Sequence, residues 1–325
     1  MAKFRVVITD LGYKTYEYEK HELQKVGAEG VLTESKNEQE VIDNAKDADG
    51  LIVRMAPVTA RVIHTLEKCK VISRYGVGVD NVDIQAATEK GIMVANVPDY
   101  CEEEVSDQAL ALFMACVRKT VSHDKQVRQG AWDIGGKDPV YRIKGKNFGL
   151  VGYGRIPRAL HRKLKGFNLG RVLVYDPYLK PEAAKENQVE LTDLETVLKE
   201  SDYISIHAPL TEETRHLIST DQFNLMKDSA IVINTSRGPL VDQQALYTAL
   251  KEGQINSAGI DVYETEPVEK DCPLFELDNV VLTDHAGWYS EDSQIELQTK
   301  AARNVAQALG GEVVKNLINK EVIST

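Results

Sequence analysis

The stretch Phe148-Gly149-Leu150-Val151-Gly152-Tyr153-Gly154-Arg155-Ile156-Pro157, followed by Arg171-Val172-Leu173-Val174-Tyr175-Asp176, constrains the fold of this chain most. It reads as a buried strand, a glycine turn, a helix, and a second strand ending in an acid. Gly152 and Gly154 fill the first two positions of a dinucleotide-binding turn, where glycine permits a tight bend and a close approach of backbone to pyrophosphate. Asp176 lies 22 residues past Gly154, near the ~20 expected for the acid that binds ribose hydroxyls. The third position holds Pro157 instead of glycine. A G-x-G alone marks an ordinary strand-to-helix turn, so the strand context and the acid carry the dinucleotide reading.

Short apolar runs alternate with helix-period stretches along the rest of the chain. Candidate strands are Phe4–Thr9, Leu51–Val53, Val71–Ser73 and Met93–Asn96, then Phe148–Val151, Val172–Tyr175, Tyr203–His207, Ala230–Asn234, Ala258–Asp261 and Val280–Leu282. This alternation predicts an α/β protein with parallel sheets covered by helices on both faces. Asn96-Val97-Pro98-Asp99 breaks the first series, and one long helical pattern from Glu102 to about Gln129 leads to a loop at Gly135-Gly136. A final helical pattern, Glu291–Leu309, is placed to carry the chain back to the first domain. The expected organisation is two Rossmann-like, doubly wound domains. The cofactor domain, residues 100–290, is inserted into a discontinuous substrate domain of residues 1–99 and 291–325.

A length of 325 residues fits two domains of about 150 residues each. The net charge of −11 argues against a general nucleic-acid surface, which needs a basic field. Anionic small substrates remain compatible, because a local arginine cluster outweighs a distant acidic surface. Cys69, Cys101, Cys116 and Cys272 form no C-x-x-C pair and have no His-rich neighbour, so they read as small buried hydrophobes in a reducing compartment, with no metal site. The first residues, with Arg5 inside an apolar run, read as a strand and not as a signal peptide. No stretch approaches ~18 uninterrupted apolar residues, so a cytoplasmic protein without a membrane span is expected.

Three ionisable residues follow predicted strands in the second half: Arg237 in Asn234-Thr235-Ser236-Arg237-Gly238-Pro239, Glu266 in Asp261-Val262-Tyr263-Glu264-Thr265-Glu266-Pro267, and His285 in Asp284-His285-Ala286-Gly287-Trp288-Tyr289-Ser290. Ligands of open α/β sheets bind outside the carboxyl ends of the strands, so three such ends can converge on one cleft. Taken singly, each residue also fits a surface ion pair, a solvated turn acid or a helix-preceding histidine.

The chain resembles the NAD-dependent D-2-hydroxyacid dehydrogenase family over nearly its whole length. The resemblance rests on Arg74-Tyr75-Gly76-Val77-Gly78-Val79-Asp80-Asn81-Val82-Asp83, on Asn96-Val97-Pro98, on the glycine turn, on Met226 to Asp242, and on Asp261 to Pro267. The run Asn234-Thr235-Ser236-Arg237-Gly238-Pro239-Leu240-Val241-Asp242 is highly specific, and the ending His285 to Ser290 is nearest to the C-terminal-binding-protein-like branch.

This resemblance implies a site. Arg237 holds the substrate carboxylate, a task suited to the guanidinium fork. His285 is the general acid and base, as an imidazole titrating near the working pH allows, and Glu266 orients it. The amides of Val77 and Gly78 grip the carboxylate, and Arg54 and Arg74 reach the substrate or support that loop, a structural salt bridge fitting each equally well. Trp288 forms an apolar wall for the substrate side chain, or equally a packed aromatic near the domain junction. For NAD(H), the turn of Gly152 and Gly154 and the amides of Arg155 and Ile156 take the pyrophosphate. Asp176 binds the ribose, Thr235 lies on the cofactor, Asp261 contacts the carboxamide, and His207 and Pro209 line the adenosine side; His207 fits a satisfied strand-end histidine equally well. Proline suits the first turn of a helix, so Pro157 leaves the binding of NAD intact while questioning close helix–strand packing there.

The implied activity is reduction of 2-oxo acids to D-2-hydroxy acids, with pyruvate (a D-lactate dehydrogenase) or larger apolar acids such as phenylpyruvate as first candidates. Glyoxylate or hydroxypyruvate reductase and phosphoglycerate dehydrogenase are the alternatives within enzymes, without the appended regulatory domain some of the latter carry. An NAD(H)-sensing corepressor-like scaffold is the alternative of another class. Trp132 resembles the family's dimer-arm tryptophan, so a homodimer is expected.

Overall fold

The computed structural model describes residues 2–132 and 139–323; the Gly135-Gly136 loop lies outside them. The chain divides into two compact units, Met1–Cys101 with Ser290–Thr325, and Glu102–Tyr289.

The first unit holds β1 (Phe4–Ile8), α1 (Glu17–Gln24), β2 (Ala28–Leu32), α2 (Glu38–Ala45), β3 (Gly50–Val53), α3 (Ala60–Thr65), β4 (Val71–Arg74), α4 (Ile84–Glu89) and β5 (Met93–Ala95). Its sheet is parallel in the order β2-β1-β3-β4-β5. β3 is wholly buried, as a parallel strand covered on both faces should be. The C-terminal segment is sewn onto this sheet by buried amides: Asn304 Nδ2 donates to Asn96 O (3.0 Å), and Asn319 Nδ2 to Ile92 O (2.9 Å). On the far side, Gln298 Nε2 and the Tyr75 hydroxyl (2.6 Å) both donate to buried Glu19. Burial raises the Glu19 carboxyl above the ordinary range despite these two donors.

The second unit holds α5 (Glu102–Arg118), α6 (Thr120–Arg128), β6 (Phe148–Val151), α7 (Arg155–Leu164), β7 (Val172–Tyr175), α8 (Pro181–Glu186), β8 (Glu190–Leu191), α9 (Leu194–Glu200), β9 (Tyr203–Ile206), α10 (Thr220–Leu225), β10 (Ile231–Asn234), α11 (Gln243–Lys251), β11 (Ser257–Ile260) and β12 (Val280–Leu282). The strands form one parallel sheet in the order β12-β11-β10-β9-β6-β7-β8. From β6 the chain winds out through β7 and β8, then restarts on the other side with β9, so the switch point lies between β6 and β9. Leu112, Phe113, Leu160 and Leu164 pack one sheet face and Val197, Leu198, Leu246 and Leu250 the other. The last long helix, α12 (Glu291–Leu309), belongs to the first unit and begins where Ser290 accepts from the Ser293 amide.

The single helical pattern expected from Glu102 to Gln129 is two helices, broken at Lys119, whose φ is +53°. The cause is packing. α5 buries Leu112, Phe113 and Val117, whereas no residue of α6 is buried, so nothing holds the chain to one axis past the poor helix formers Thr120, Val121 and Ser122. Pro157 sits buried in the first turn of α7, and Leu160 and Leu164 still pack on Phe148 and Leu150, so the helix stays close to its strand. All four cysteines are free and buried.

Gly259 lets α5 lie against β11. A Cβ there would stand 2.8 Å from Leu112 Cβ and 2.9 Å from Ile233 Cδ1. Gly259→Ala should therefore lower stability by about 1–3 kcal/mol through overpacking. Urea denaturation checks this, and an unchanged midpoint would contradict it.

Candidate active site

The carboxyl ends of β6, β7, β9, β10, β11 and β12 share one edge of the second unit's sheet, where open α/β sheets bind ligands. At the end of β6, Gly152 adopts φ +94°, and a Cβ would lie 2.8 Å from His207 O. Both facts demand glycine. A Cβ at Gly154 would meet nothing within 4 Å, so open space lies in front of the α7 N-terminus. Its N-cap residue, Gly154, has no side chain to cap it. The amides of Arg155 and Ile156 are thus oriented for an anion, while the Arg155 guanidinium is drawn off to Glu102 (2.8 Å).

Asp176 follows β7 and accepts from the Tyr153 amide (2.8 Å) and the Tyr178 amide (2.8 Å). It anchors the glycine turn. At the end of β9, His207 has its Nε2 2.8 Å from the Ser205 hydroxyl, and burial pulls its imidazole down to about 3. It is a neutral, satisfied histidine at neutral pH. Pro209 is exposed beyond it, with its carbonyl held by Thr214. Thr235, after β10, is 7% exposed, and its hydroxyl is buried without a hydrogen-bond partner in the protein. Open space before α7 and an orphaned buried hydroxyl on the same sheet edge fit a dinucleotide.

Arg237 follows two residues later. Its carbonyl accepts from Asn234 Nδ2 (2.9 Å), and its guanidinium donates to Ser236 O (2.8 Å). The next residue, Gly238, packs backbone on backbone against the segment after β11: a Cβ there would lie 1.8 Å from Tyr263 O. That contact brings the Arg237 turn beside Glu266. Glu266 Oε2 is 2.6 Å from His285 Nδ1, and Oε1 accepts from the Tyr263 amide (3.0 Å). Burial works to raise the Glu266 carboxyl. The bonds from His285 and Tyr263, with the charges of His285 and Arg237, outweigh it and hold the group below the usual carboxylate range.

His285 is held in the left-handed region, φ +58°, a conformation few non-glycine residues adopt and one that concentrates at functional sites. The restraint is Asp261, 1% exposed at the end of β11. Its carbonyl accepts the His285 amide (2.8 Å). Its carboxylate accepts from the Thr283 hydroxyl (2.5 Å), the Ala286 amide (3.0 Å) and the Gly287 amide (2.9 Å). Gly287 must be glycine, since a Cβ would stand 2.8 Å from Asp261 Oδ2. Beside the carboxamide contact that the resemblance implies for it, Asp261 is tied by these bonds to the histidine loop. Thr283 and Gln108, which reaches Thr283 at 3.0 Å, were missed. Thr283, two residues before His285, carried a signal, whereas Gln108, in α5, carried none. Half-buried Trp288 stacks edge-on to Tyr289, 5.6 Å between ring centres.

In the first unit, the ends of β1, β3 and β4 share the edge of their own sheet. Asp10 accepts from the amides of Arg54 (2.8 Å), Met55 (2.9 Å) and Ala56 (3.1 Å), and the Arg54 guanidinium lies 5.4 Å from the Tyr13 ring centre. Gly76, φ +136°, leaves room for Arg74, whose Nη1 would sit 1.8 Å from a Cβ. Asn96 Nδ2 donates to Val77 O (2.6 Å), bracing a turn on which Val77 is 39% exposed and Gly78 half-buried.

The model of the D-isomer specific 2-hydroxyacid dehydrogenase NAD binding domain matches residues 110–287. This chain belongs to that family. It is 42% identical over 287 residues to a glyoxylate reductase of Korarchaeum cryptofilum, covering 87% of this chain and 86% of the relative. It is also 42% identical over 299 residues to a D-3-phosphoglycerate dehydrogenase of Methanocaldococcus jannaschii, covering 91% of this chain and 56% of that longer protein. Its structure superimposes with TM-score 0.87 on a D-lactate dehydrogenase of Aquifex aeolicus complexed with NAD and lactic acid, at 26% identity and over 97% of this chain and 99% of that one. The protein is an NAD-dependent oxidoreductase of 2-hydroxy acids, and NAD(H) is its cofactor. Among the described residues no helix is long and apolar enough to cross a membrane.

The depressed Glu266 carboxyl makes a pH prediction. An acid lowered on folding adds stability above its unfolded pKa of about 4.3, and this is lost as pH falls through the lower folded value. Wild type should therefore exceed Glu266→Gln in unfolding free energy at pH 6, with the gap closing as pH drops below about 4.3. Denaturant unfolding across that range reads it; a constant gap would contradict the ionised carboxylate.

Proposed function

We propose that the protein reduces short 2-oxo acids to D-2-hydroxy acids, with glyoxylate, hydroxypyruvate and pyruvate as the leading substrates. The observation that carries this reading is the Glu266–His285 pair at 2.6 Å, beside an Arg237 whose charge acts on the same carboxylate. Arg237 takes the substrate carboxylate and polarises the 2-oxo group. Glu266 holds His285 Nδ1, which leaves Nε2 to give a proton to the carbonyl oxygen in reduction and to take it back in oxidation. Bound NADH supplies the hydride for the carbonyl carbon. Asp176 binds the ribose hydroxyls, the amides of Arg155 and Ile156 the pyrophosphate, and the Thr235 hydroxyl the cofactor's other end. In the first unit, Arg54, Arg74 and the amides of Val77 and Gly78 are the residues that the resemblance assigns to the substrate.

Glyoxylate heads the group because the glyoxylate reductase is alike at 42% identity over most of both chains. Trp288 supports small or apolar acids, since the His285 segment holds no cation for a phosphate. Phenylpyruvate is the largest acid we would include. We further propose a homodimer: Val121 and Val127 on α6 and Trp132 beyond it are exposed, apolar surface that suits a second copy.

NADH oxidation, followed by absorbance with glyoxylate, pyruvate, hydroxypyruvate, phenylpyruvate and phosphohydroxypyruvate, tests the reading. Turnover should be best with an unphosphorylated acid. His285→Gln should lower kcat by roughly 100-fold or more, the scale of a lost general acid, while NADH still binds. No turnover with any acid, or a His285→Gln variant of normal kcat, would overturn it.

A further inference from the structure

A second histidine–glutamate pair stands beside the first. His216 Nε2 bonds Glu264 Oε1, two residues before Glu266. The two pairs are exposed alike: 40% and 31% for His216 and Glu264, 40% and 27% for His285 and Glu266. Five described non-glycine residues have positive φ, and two of them are these histidines, His216 at +52° and His285 at +58°. Backbone in that region is strained unless its surroundings hold it there.

What holds His216 is the Arg237 turn. Its amide donates to Pro239 O (2.7 Å), the Ile218 amide to Leu240 O (3.0 Å), and the Asp242 amide back to Ile218 O (2.9 Å). His216 thus grips the turn bearing Arg237 through its backbone and the segment bearing Glu266 through its imidazole. Where those two pieces meet directly, at Gly238 and Tyr263, the contact is backbone on backbone. The β10–β11 ladder and the packing of Leu240, Val241 and Tyr263 in one apolar cluster hold the two pieces behind that contact, and the His216–Glu264 bond adds a polar link between them.

We propose that His216 and Glu264 are positioning residues that fix the spacing between Arg237 and the Glu266–His285 pair, and so the fit of the 2-oxo acid. The inference rests on the roles assigned to Arg237, Glu266 and His285 above. It does not involve the glycine turn or Asp176, so cofactor affinity should change far less than the fit of the oxo acid.

The test is a double-mutant cycle on the intact protein, read by steady-state kinetics, NADH fluorescence titration and amide hydrogen exchange. His216→Ala and Glu264→Ala should each lower kcat/KM for the oxo acid by about tenfold or more, the double variant should be no worse than the worse single one, and the NADH Kd should stay within about twofold. Glu264→Gln, whose amide oxygen still accepts from the imidazole, should recover most of the loss. In His216→Ala, exchange should rise together in residues 236–240 and 262–266 and not in 152–156. Wild-type kinetics in either alanine variant, losses that add in the double variant, or unchanged exchange in both segments would overturn the proposal. If His216→Ala does not fold, the Glu264 pair decides: Ala and Gln behaving alike refutes the bond. Should the wild type reduce no oxo acid, the functional reading fails, and hydrogen exchange still judges the coupling.

Discussion

The histidine end of the second unit's sheet edge depends on where the carboxyl group of Asp261 is held. The residue is 1% exposed, and a polar group so buried is tolerable only when it is hydrogen-bonded. Thr283, Ala286 and Gly287 fill its oxygens, and the Asp261 carbonyl takes the His285 amide. One buried acid therefore bends the chain after β12 into a left-handed residue, and that residue is the histidine that meets Glu266. The unusual backbone at His285 goes with the satisfaction of Asp261, and it sets His285 against Glu266.

The sheet is the second layer of the account. Parallel strands place Gly152, Asp176, Thr235, Arg237, Asp261 and His285 on a single edge, because each follows the carboxyl end of its strand. The glycine turn lies at the switch point beside β9, and the Glu266–His285 pair lies after β11 and β12. The Arg237 turn stands between them. Glycines mark the close approaches: Gly152 to the His207 backbone, Gly238 to the Tyr263 backbone, Gly287 to the Asp261 carboxylate. A methyl group at any of these would push those parts of the edge apart.

Much of this was legible in the residue pattern, and the exceptions have physical causes. The α/β alternation gave the strands that carry unbroken apolar runs, the edge strands β5 and β12 among them. β2 and β8 carry none: Ala28-Glu29-Gly30-Val31-Leu32 is interrupted by a charge and a glycine and is mostly exposed, and β8 is two residues long. The break at Lys119 escaped because helical periodicity continues through it while tertiary packing stops. Among the site residues, strand-end placement picked out Arg237, Glu266 and His285, which the structure brings to neighbouring strand ends. It could not reveal the work of Asp261, whose partners Ala286 and Gly287 act through backbone amides that leave no mark on residue type. His216 was invisible for the same reason, since it lies outside any strand end and binds through a turn.

The most direct test of this account is kcat for Asp261→Asn at saturating NADH and oxo acid. An asparagine keeps the size of the side chain but turns one acceptor into a donor facing the amides of Ala286 and Gly287, so the histidine loop should shift. Misplacing a catalytic group by about 1 Å costs on the order of 100-fold, and kcat should fall by about that much with the protein still folded. A variant that turns over like the wild type would contradict the claim that Asp261 sets the position of His285.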